Sequence, residues 1–411
     1  MISLKSSKLA MNGGEPVRKK PFPAWPVWDE SDVETIVETL RSGRWGIGGT
    51  KNEEFEKAFA AFQQAKYAVT CVNGTAALEI ALRAVGLEPG DEVIVPAYTF
   101  IATASACLMV NAVPVFVDID PDTYLIDPKQ VEQAVTDRTR AVIPVHVAGC
   151  PADMDAIMDV AKKHDLKVIE DCAQSHAAEW KGRRVGAIGD VGTFSFQSSK
   201  NLNAGEGGCC TTDDERIFRR CWSLKNVGRS PDGEWYDHPV LGWNYRMTQF
   251  QAALLLNQLK RVEEQATLRS ENGRLLTERL SKIEGIRPLR VDPRVTRHAY
   301  HLYVFRYDAS AFNSLPRQDF LKAMNAEGIT CSEGYRPLYW EAAFRTPDVY
   351  RAAMALASRR MDYDKVECPV TERACREECV WLYQAWLLGG KQEIDDIVNA
   401  VEKVKEAALS S

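Results

Sequence analysis

Short runs of apolar and β-branched residues alternate with stretches of helix-forming residues over much of the chain. Six of these runs predict β-strands, centred near Val69, Ile94, Val115, Ile143, Ile169 and Phe194. The stretches between them, such as GTAALEIALRAVG and ADMDAIMDVAKKHD, have helical periodicity. This alternation predicts an α/β fold with a largely parallel sheet that helices cover on both faces.

The pattern changes toward both ends of the chain. Residues 28–43 have the spacing of an amphipathic helix that stops at Gly43, and helix formers continue from residue 248 without a glycine until Gly273. Residues 298–308 alternate like a strand, and helical stretches follow them. We therefore expect an N-terminal arm over residues 1–28, a large α/β domain over 29–274 and a smaller C-terminal α+β domain over 275–411.

The composition argues against several functional classes. The 411 residues are 45% hydrophobic and 26% charged, as is ordinary for a globular protein, and the formal net charge is −6. No basic run is long enough for a nucleic-acid footprint, and Arg18, Lys19 and Lys20 have the character of a solvated arm. The most apolar windows are only of strand length and no apolar signal region is present, so we expect neither export nor a membrane span.

Eleven cysteines are scattered through apolar segments. In a chain of this length that distribution is typical of reduced, buried thiols, and it indicates a cytoplasmic protein rather than a disulfide scaffold. Cys375 and Cys379 are four residues apart on a predicted helix, but no second Cys or His pair with ligand spacing accompanies them. We therefore predict no metal site.

Two polar residues follow predicted strands in the segment from Val168 to Gly208. Asp171 ends one strand and Lys200 lies just past another, so both are expected at the carboxyl edge of the sheet, where ligands bind. A lysine there can act as a Schiff-base nucleophile, and a carboxylate can keep the ring nitrogen of pyridoxal phosphate (PLP) protonated. For these two residues alone, an ordinary surface ion pair is the simpler interpretation.

A second segment predicts an anion site. Asn73, Gly74 and Thr75 lie between a predicted strand and a predicted helix, where backbone N–H groups and a hydroxyl can hold a phosphate. The same three residues also describe a simple capped turn. Tyr98, at the end of another strand, can lie on the face of a flat cofactor or belong to the core.

Together these segments resemble a known family, the DegT/DnrJ/EryC1/StrS aminotransferases. The resemblance covers nearly the whole chain, through the motifs NGTAAL, PAYTF, EDCAQSH, FSFQSSKN, GEGG and GWNYRMTQFQAA. It implies a fold-type I PLP enzyme with a mostly parallel, seven-stranded central sheet. It also implies an aminotransferase with a ping-pong mechanism.

The resemblance implies roles for individual residues. Lys200 would carry PLP and move the proton during transfer, and Asp171 would pair with the pyridinium nitrogen. Gln174 would contact the 3-oxygen of the ring, and Tyr98 would stack on the ring. The phosphate would be held by Gly74, Thr75, the backbone of Ala76, and Ser195.

The resemblance also implies that two chains build each active site. Family members take a phosphate contact from the neighbouring subunit through the Asn of a G-x-N-Y-R-M segment, which is Asn244 here. An obligate homodimer is therefore expected. Tyr245 and Arg246 would also lie near the partner's pocket.

The substrates are expected from the same resemblance. Members that act on nucleotide-linked keto sugars commonly have His at the position of Gln197, whereas FSFQ is similar to members that act on keto-cyclitols. The expected donor is L-glutamine or L-glutamate, and the expected acceptor is a keto-cyclitol or a keto sugar. Ala177, Tyr383 and Gln384 depart from the family pattern and can reshape the acceptor side.

Several alternatives remain open. The chain can be a nucleotide-sugar aminotransferase, a sugar dehydratase of the same fold or a non-catalytic regulator. The dehydratases resemble this family but have a histidine in place of the lysine, so the SSKN segment with Lys200 argues against that reading. His176, His301 and Tyr335 are further candidates near the site, and the sequence assigns no role to them.

Overall fold

The computed structural model describes residues 6–346, 355 and 361–410, so the first five residues of the predicted arm lie outside the described residues. The helices up to residue 280 are α1 (Glu30–Ser42), α2 (Lys51–Phe62), α3 (Gly74–Ala84), α4 (Ala102–Met109), α5 (Pro128–Ala134), α6 (Met154–His164), α7 (Glu215–Lys225) and α8 (Gln249–Leu280). The strands of the same part are β1 (Tyr67–Cys71), β2 (Glu92–Pro96), β3 (Val113–Val117), β4 (Thr139–Val142), β5 (Lys167–Asp171), β6 (Glu179–Trp180), β7 (Arg183–Arg184), β8 (Val191–Ser195) and β9 (Gly208–Thr212). The remaining elements are β10 (Ile286–Pro288), β11 (Val295–Arg297), β12 (Leu302–Tyr307), α9 (Arg317–Ala326), β13 (Cys331–Ser332), α10 (Ala342–Arg345), α11 (Pro369–Arg373), β14 (Cys379–Tyr383) and α12 (Lys391–Leu409).

Seven strands form the central sheet, in the order β1-β9-β8-β5-β4-β2-β3. The neighbouring strands are parallel in the pairs β8-β5, β5-β4, β4-β2 and β2-β3. Strand β9 runs antiparallel to both of its neighbours, β1 and β8. The predicted mostly parallel sheet is confirmed. The pattern did not predict β9, because this buried strand begins at a glycine that the fold needs for close packing. A Cβ at Gly208 would lie 2.2 Å from the Asn73 carbonyl oxygen.

Helices cover both faces of this sheet. In β2, Val93 and Val95 pack in a core with α3, α4 and α7, whereas Ile94 packs with α5 and α6. A third core, which contains Phe55 and Phe59, joins α2 and α8 to β8 and β9. Alternate residues of one strand therefore face different helices, and this explains why the strands have continuous apolar runs.

A second, antiparallel sheet lies in the C-terminal part of the chain, in the order β10-β12-β14-β13, and a short third sheet has the order β11-β6-β7. Phe305 of β12 packs in one core with Phe320 of α9 and Ile397 of α12. The expected smaller α+β part is thus present. Cys379 begins β14, so the prediction that it shares a helix with Cys375 is wrong.

Helix α8 connects the two parts of the molecule. It spans 32 residues and continues through Gly273, where the ring of Tyr300 leaves no room for a side chain: a Cβ would lie 2.5 Å from Tyr300 Cζ. The helix contacts α1 and α2 of the large part and β10 and α12 of the small part. The domain boundaries at residues 28 and 274 stay a prediction. No helix in the described ranges combines the length and the apolar character that a membrane span requires.

The N-terminal arm packs against the C-terminal part. Leu9 is fully buried in its core, and the Arg18 N–H donates to the Glu327 carbonyl oxygen at 3.0 Å. The Arg18 guanidinium contacts Asp396 Oδ2 at 2.7 Å and Glu393 Oε1 at 2.8 Å on α12. One buried cation therefore ties the arm to two carboxylates of the last helix, so the prediction of a solvated arm is wrong for Arg18.

We expect Arg18→Ala to lower the free energy of unfolding by about 3 kcal/mol, because it leaves two largely buried carboxylates without their cation. Urea titration followed by circular dichroism measures the loss. The control is Lys19→Ala, since the ion pair of Lys19 with Glu15 is exposed and such pairs contribute at most about 1 kcal/mol. Equal losses in the two variants would contradict the prediction.

Candidate active site

A cavity of about 790 Å³ opens at the carboxyl edge of the central sheet. Asp171 is the last residue of β5, Ser195 is the last of β8, and Gly74 begins α3 directly after β1. Six of the residues predicted from the sequence line this cavity together: Gly74, Thr75, Asp171, Gln174, Ser195 and Lys200. The acid, the lysine and the anion site therefore share one cavity.

Asp171 is held rigidly at the end of β5. Thr103 Oγ1 donates to Asp171 Oδ2 at 2.8 Å, and the Ala173 N–H donates to Oδ1 at 3.1 Å. Burial raises the pKa of Asp171, although these hydrogen bonds and the charge of Lys200 oppose the shift. No sequence pattern pointed to Thr103, because only the tertiary packing of α4 brings its hydroxyl to the carboxylate.

Lys200 is half-buried in the loop between β8 and β9. Burial lowers the pKa of its ammonium group, and the charge of Asp171 opposes the shift only in part. A lower pKa increases the fraction of neutral amine, which is the form that attacks carbon or accepts a proton. No carboxylate oxygen of the described residues lies within 4.0 Å of Lys200 Nζ, so the alternative of a surface ion pair is not supported.

The first turn of α3 provides the anion site. The N–H groups of Gly74 and Thr75 have no acceptor among the described residues, as is usual at a helix start. A Cβ at Gly74 would lie 2.7 Å from Ser195 Cβ, so glycine is needed for this close approach. The Ala76 N–H instead donates to Asn73 Oδ1 at 2.8 Å. The Gly74 and Thr75 amides are therefore the ones open to an anion, and the phosphate contact of the Ala76 backbone stays a prediction.

Tyr98 does not line the cavity. It is 2% exposed, and its Oη accepts a hydrogen bond from Trp381 Nε1 at 2.9 Å and lies 3.0 Å from Cys379 Sγ. Phe100, two residues further on, lines the cavity and is 56% exposed. Phe100 is therefore the ring of the PAYTF motif that lines the cavity, because the turn after β2 directs it there and leaves Tyr98 between the two sheets. The stacking of an aromatic ring on the cofactor stays a prediction.

Asn244 lies outside this cavity. It is exposed, forms an isolated β-bridge with Asn226 and lines a separate cavity with Arg229 and Arg246. Arg246 Nη1 donates to Asn226 Oδ1 at 3.1 Å. Asn244 is therefore not part of the Lys200 site of its own chain, and its predicted role requires a second subunit.

Two buried histidines lie beside Lys200. His176 is fully buried, and neither of its ring nitrogens has a hydrogen-bond partner in the described part of the chain. His301 lines the cavity, with Nδ1 3.2 Å from Asn201 Oδ1. Burial and the charge of Lys200 lower the pKa of His176 to about 3 and also lower the pKa of His301. Both rings are therefore neutral near pH 7.

His146, Glu170 and Cys172 form a buried cluster behind the site whose ligand atoms lie within 4.8 Å of one another. His146 Nδ1 accepts a hydrogen bond from the Ala152 N–H at 3.0 Å, and Nε2 contacts Glu170 Oε2 at 3.1 Å. The Glu170 carboxylate also accepts from the N–H groups of Gly186, Ile188 and Gly189. Hydrogen bonds within the fold thus use the lone pairs that a metal would need.

Comparison with known families fits this geometry. The model of the DegT/DnrJ/EryC1/StrS aminotransferase family matches residues 26–402. The chain belongs to this family. It is accordingly a PLP-dependent aminotransferase. A relative from Streptoalloteichus tenebrarius, named as an L-glutamine:2-deoxy-scyllo-inosose aminotransferase, is 39% identical over 418 residues, which cover 96% of this chain and 97% of the relative.

Solved structures share the fold of the aminotransferase. The crystal structure of 3-amino-5-hydroxybenzoic acid synthase has a TM-score of 0.85 and 34% identity, and the match covers 96% of this chain and 100% of that one. NtdA from Bacillus subtilis, with bound cofactor PMP, has a TM-score of 0.79 and 28% identity over 92% of this chain and 82% of that one.

The cavity offers a matching group for each part of PLP. The free N–H groups of Gly74 and Thr75 suit its phosphate, the carboxylate of Asp171 suits its ring nitrogen, and the amine of Lys200 suits its aldehyde. Asp171 carries the only carboxylate of β5 that lines the cavity, since Glu170 is fully buried behind it. The residues present therefore fit the cofactor of the family.

We expect His176→Gln to weaken the acid sensitivity of the fold. The pKa of His176 is lowered from 6.5 to about 3, so as the pH falls below 6.5 the unfolded chain binds a proton that the folded chain excludes. His176 therefore costs stability as the pH falls, by up to about 1.4 kcal/mol per pH unit. Urea titrations between pH 7 and about pH 4 measure the difference.

The difference in unfolding free energy between wild type and His176→Gln should shift in favour of the variant as the pH falls. His238→Gln, which removes an exposed ring, is the matched control. Parallel pH profiles of the wild type and His176→Gln would contradict the prediction.

Proposed function

We propose that this aminotransferase moves the amino group of L-glutamine to the ketone of a keto-cyclitol. The small number of charged side chains in the cavity lining supports this acceptor class. Among the described residues, its lining has only Asp171, Lys200 and Glu206 as charged side chains. A nucleotide-linked sugar brings a pyrophosphate, which proteins bind with several arginines, lysines or a metal. No arginine and no second lysine in the described part of the chain lines the cavity to meet it.

The neutral lining suits a polyol ring. Gln197 and Ser199 offer hydrogen-bonding groups for hydroxyls, and Phe100, Tyr335 and Trp381 offer aromatic surface for its C–H faces. The Streptoalloteichus relative is named for a glutamine donor and an inosose acceptor. This name supports the same pair of substrate classes here.

In the amino transfer, Asp171 and Lys200 would have different roles. PLP, when bound, withdraws electrons from the carbon that loses its proton. Asp171 would hold a proton at the ring nitrogen through its carboxylate. Lys200 Nζ would accept the α-proton of the donor and return a proton on the cofactor side, and its lowered pKa provides the neutral amine that this needs. The same groups act in reverse on the acceptor, which gives ping-pong kinetics.

The proposal includes a homodimer with shared active sites. Asn244 lies outside the Lys200 cavity, in a surface cavity that Ile47 and Trp235 also line. Both of these apolar side chains are 56% exposed. Exposed apolar groups around a residue with a predicted site role support a subunit contact on this face. A cytoplasmic location is part of the proposal, supported by eleven buried, free thiols.

Two alternatives have less support. A dehydratase of this fold would have a histidine at the position of Lys200. A regulator without catalysis would have no need for a half-buried lysine whose pKa burial lowers. Both differ from the proposed function in how they respond to an amino donor.

Purified protein loaded with PLP is expected to show the visible absorbance of lysine-bound cofactor, and L-glutamine should bleach it. A keto-cyclitol should then restore the absorbance, because the second half-reaction reverses the first. Lys200→Ala should not bleach, since it lacks the covalent link and the proton carrier, and should lower the rate of transfer by at least about a thousandfold. Stopped-flow absorbance measures both half-reactions.

The acceptor panel should include keto-inositols with and without an amino substituent, together with nucleotide-linked keto sugars. If only the nucleotide sugars restore the absorbance, the acceptor class proposed here is wrong while the aminotransferase stands. Protein that never takes up PLP would contradict the proposed cofactor site itself.

Mixing two inactive variants tests the shared site. Lys200→Ala and Asn244→Asp should each have low activity alone, because one lacks the amine and the other places a negative charge against the phosphate. In a mixed dimer, the chain with Lys200 meets the partner with Asn244, so one site is intact. An equimolar mixture that has exchanged subunits should regain about a quarter of the wild-type activity. No recovery, with exchange shown by tagged subunits, would place Asn244 outside the partner's site.

A further inference from the structure

Tyr335 belongs to the small part of the molecule and lines the cavity that contains Lys200. It lies just after β13. Its ring packs edge-on against Trp381, with centroids 4.5 Å apart, and against Tyr98 at 5.4 Å. The preceding Gly334 has a φ of +87°, a backbone conformation that glycine adopts without strain. The position of the Tyr335 hydroxyl is therefore fixed by packing on two sides.

The direction of the hydrogen bond between Gln174 and Tyr335 follows from the backbone. The Ala148 N–H donates to Gln174 Oε1 at 2.7 Å, so the oxygen of the amide must face Ala148. The amide nitrogen then faces Tyr335, and Gln174 Nε2 donates to Tyr335 Oη at 2.6 Å. An amide nitrogen accepts no hydrogen bond, so Tyr335 is the acceptor in this pair.

The Tyr335 hydroxyl can still donate a hydrogen bond, because it only accepts one from Gln174. No acceptor for it is present among the described residues, and the second N–H of Gln174 has none either. Burial raises the pKa of Tyr335, so the phenol stays protonated over the working pH range. Two adjacent donors, one phenolic and one amide, are thus available to a ligand oxygen in the cavity.

We propose that Tyr335 Oη donates a hydrogen bond to the 3-oxygen of the bound cofactor, beside the second N–H of Gln174. This inference rests on the proposed function, in which Lys200 carries PLP and Gln174 contacts that oxygen. Tyr335 thereby shares in setting the charge on the 3-oxygen. It also joins the cofactor to the small part of the molecule, because its loop follows β13.

A donor at the 3-oxygen has a measurable electrostatic effect. The negative charge of this oxygen stabilises the proton on the nearby nitrogen that links Lys200 to the cofactor. A hydrogen bond to the oxygen withdraws that charge and lowers the pKa of the nitrogen. Among the described residues, the titratable side chains that line the same cavity are Asp171, Lys200, Glu206, His301, Cys331, Tyr335 and Tyr383. Substituting Tyr335 alone leaves the other six in place.

The test is a pH titration of the visible absorbance of the PLP-loaded protein. Tyr335→Phe removes the hydroxyl and keeps the ring that packs against Trp381 and Tyr98. We expect the absorbance of this variant to titrate at a pH about half a unit to one unit higher than wild type, the effect of one lost hydrogen bond. Tyr303→Phe is the control, because that buried hydroxyl contacts Thr277 Oγ1 at 2.9 Å, outside the cavity lining, and its loss should leave the titration unchanged.

Other outcomes overturn the inference in distinguishable ways. An unchanged titration in folded Tyr335→Phe rules out the bond to the 3-oxygen. An unchanged titration together with a raised KM for glutamine assigns the hydroxyl to the donor's carboxylate instead. If wild-type protein shows no visible absorbance with PLP, the proposed function fails, and the inference falls with it. Thermal unfolding of each variant shows that the fold is kept.

Discussion

The close approach of the first turn of α3 to strands β8 and β9 is the constraint on which the site depends. Two glycines permit it: a Cβ at Gly74 would lie 2.7 Å from Ser195 Cβ, and one at Gly208 would lie 2.2 Å from the Asn73 carbonyl oxygen. The contact places the free N–H groups of α3 beside the end of β8. Because the loop with Lys200 connects β8 to β9, the same contact also places the lysine next to the anion site.

Burial governs the charges around this contact. Asp171 and Lys200 both lie in a cavity where desolvation disfavours their charged forms, and the two shifts have opposite signs. His176 and Arg269 are fully buried as well. The pKa of Arg269 is lowered by burial to about 9, and its Nε donates to Gln384 Oε1 at 2.8 Å. The surroundings of Lys200 thus favour a neutral amine, as proton transfer requires.

The cavity is built by both parts of the molecule. The end of β5 and the loop after β8 supply the acid and the lysine. His301, directly before β12, Trp381 of β14 and Tyr335, after β13, come from the small part. Tyr98 lies between the two sheets and accepts a hydrogen bond from Trp381 Nε1. The wall opposite Lys200 is therefore coupled to the packing of the small sheet, so substitutions there are expected to alter the choice of acceptor more than the chemistry at Lys200.

The sequence by itself determined the parallel sheet and the residues at strand ends, because apolar periodicity and strand-end position are local properties. Its motifs determined the family. Asp171 and Lys200 were found from their positions at strand ends and Ser195 through the resemblance to the family, and the structure places all three in one cavity. Only the tertiary structure decided which of Tyr98 and Phe100 faces that cavity, whether the Ala76 amide is free, and that Thr103 and Tyr335 support the site. These features depend on side-chain direction and on contacts between residues far apart in the chain, neither of which periodicity encodes.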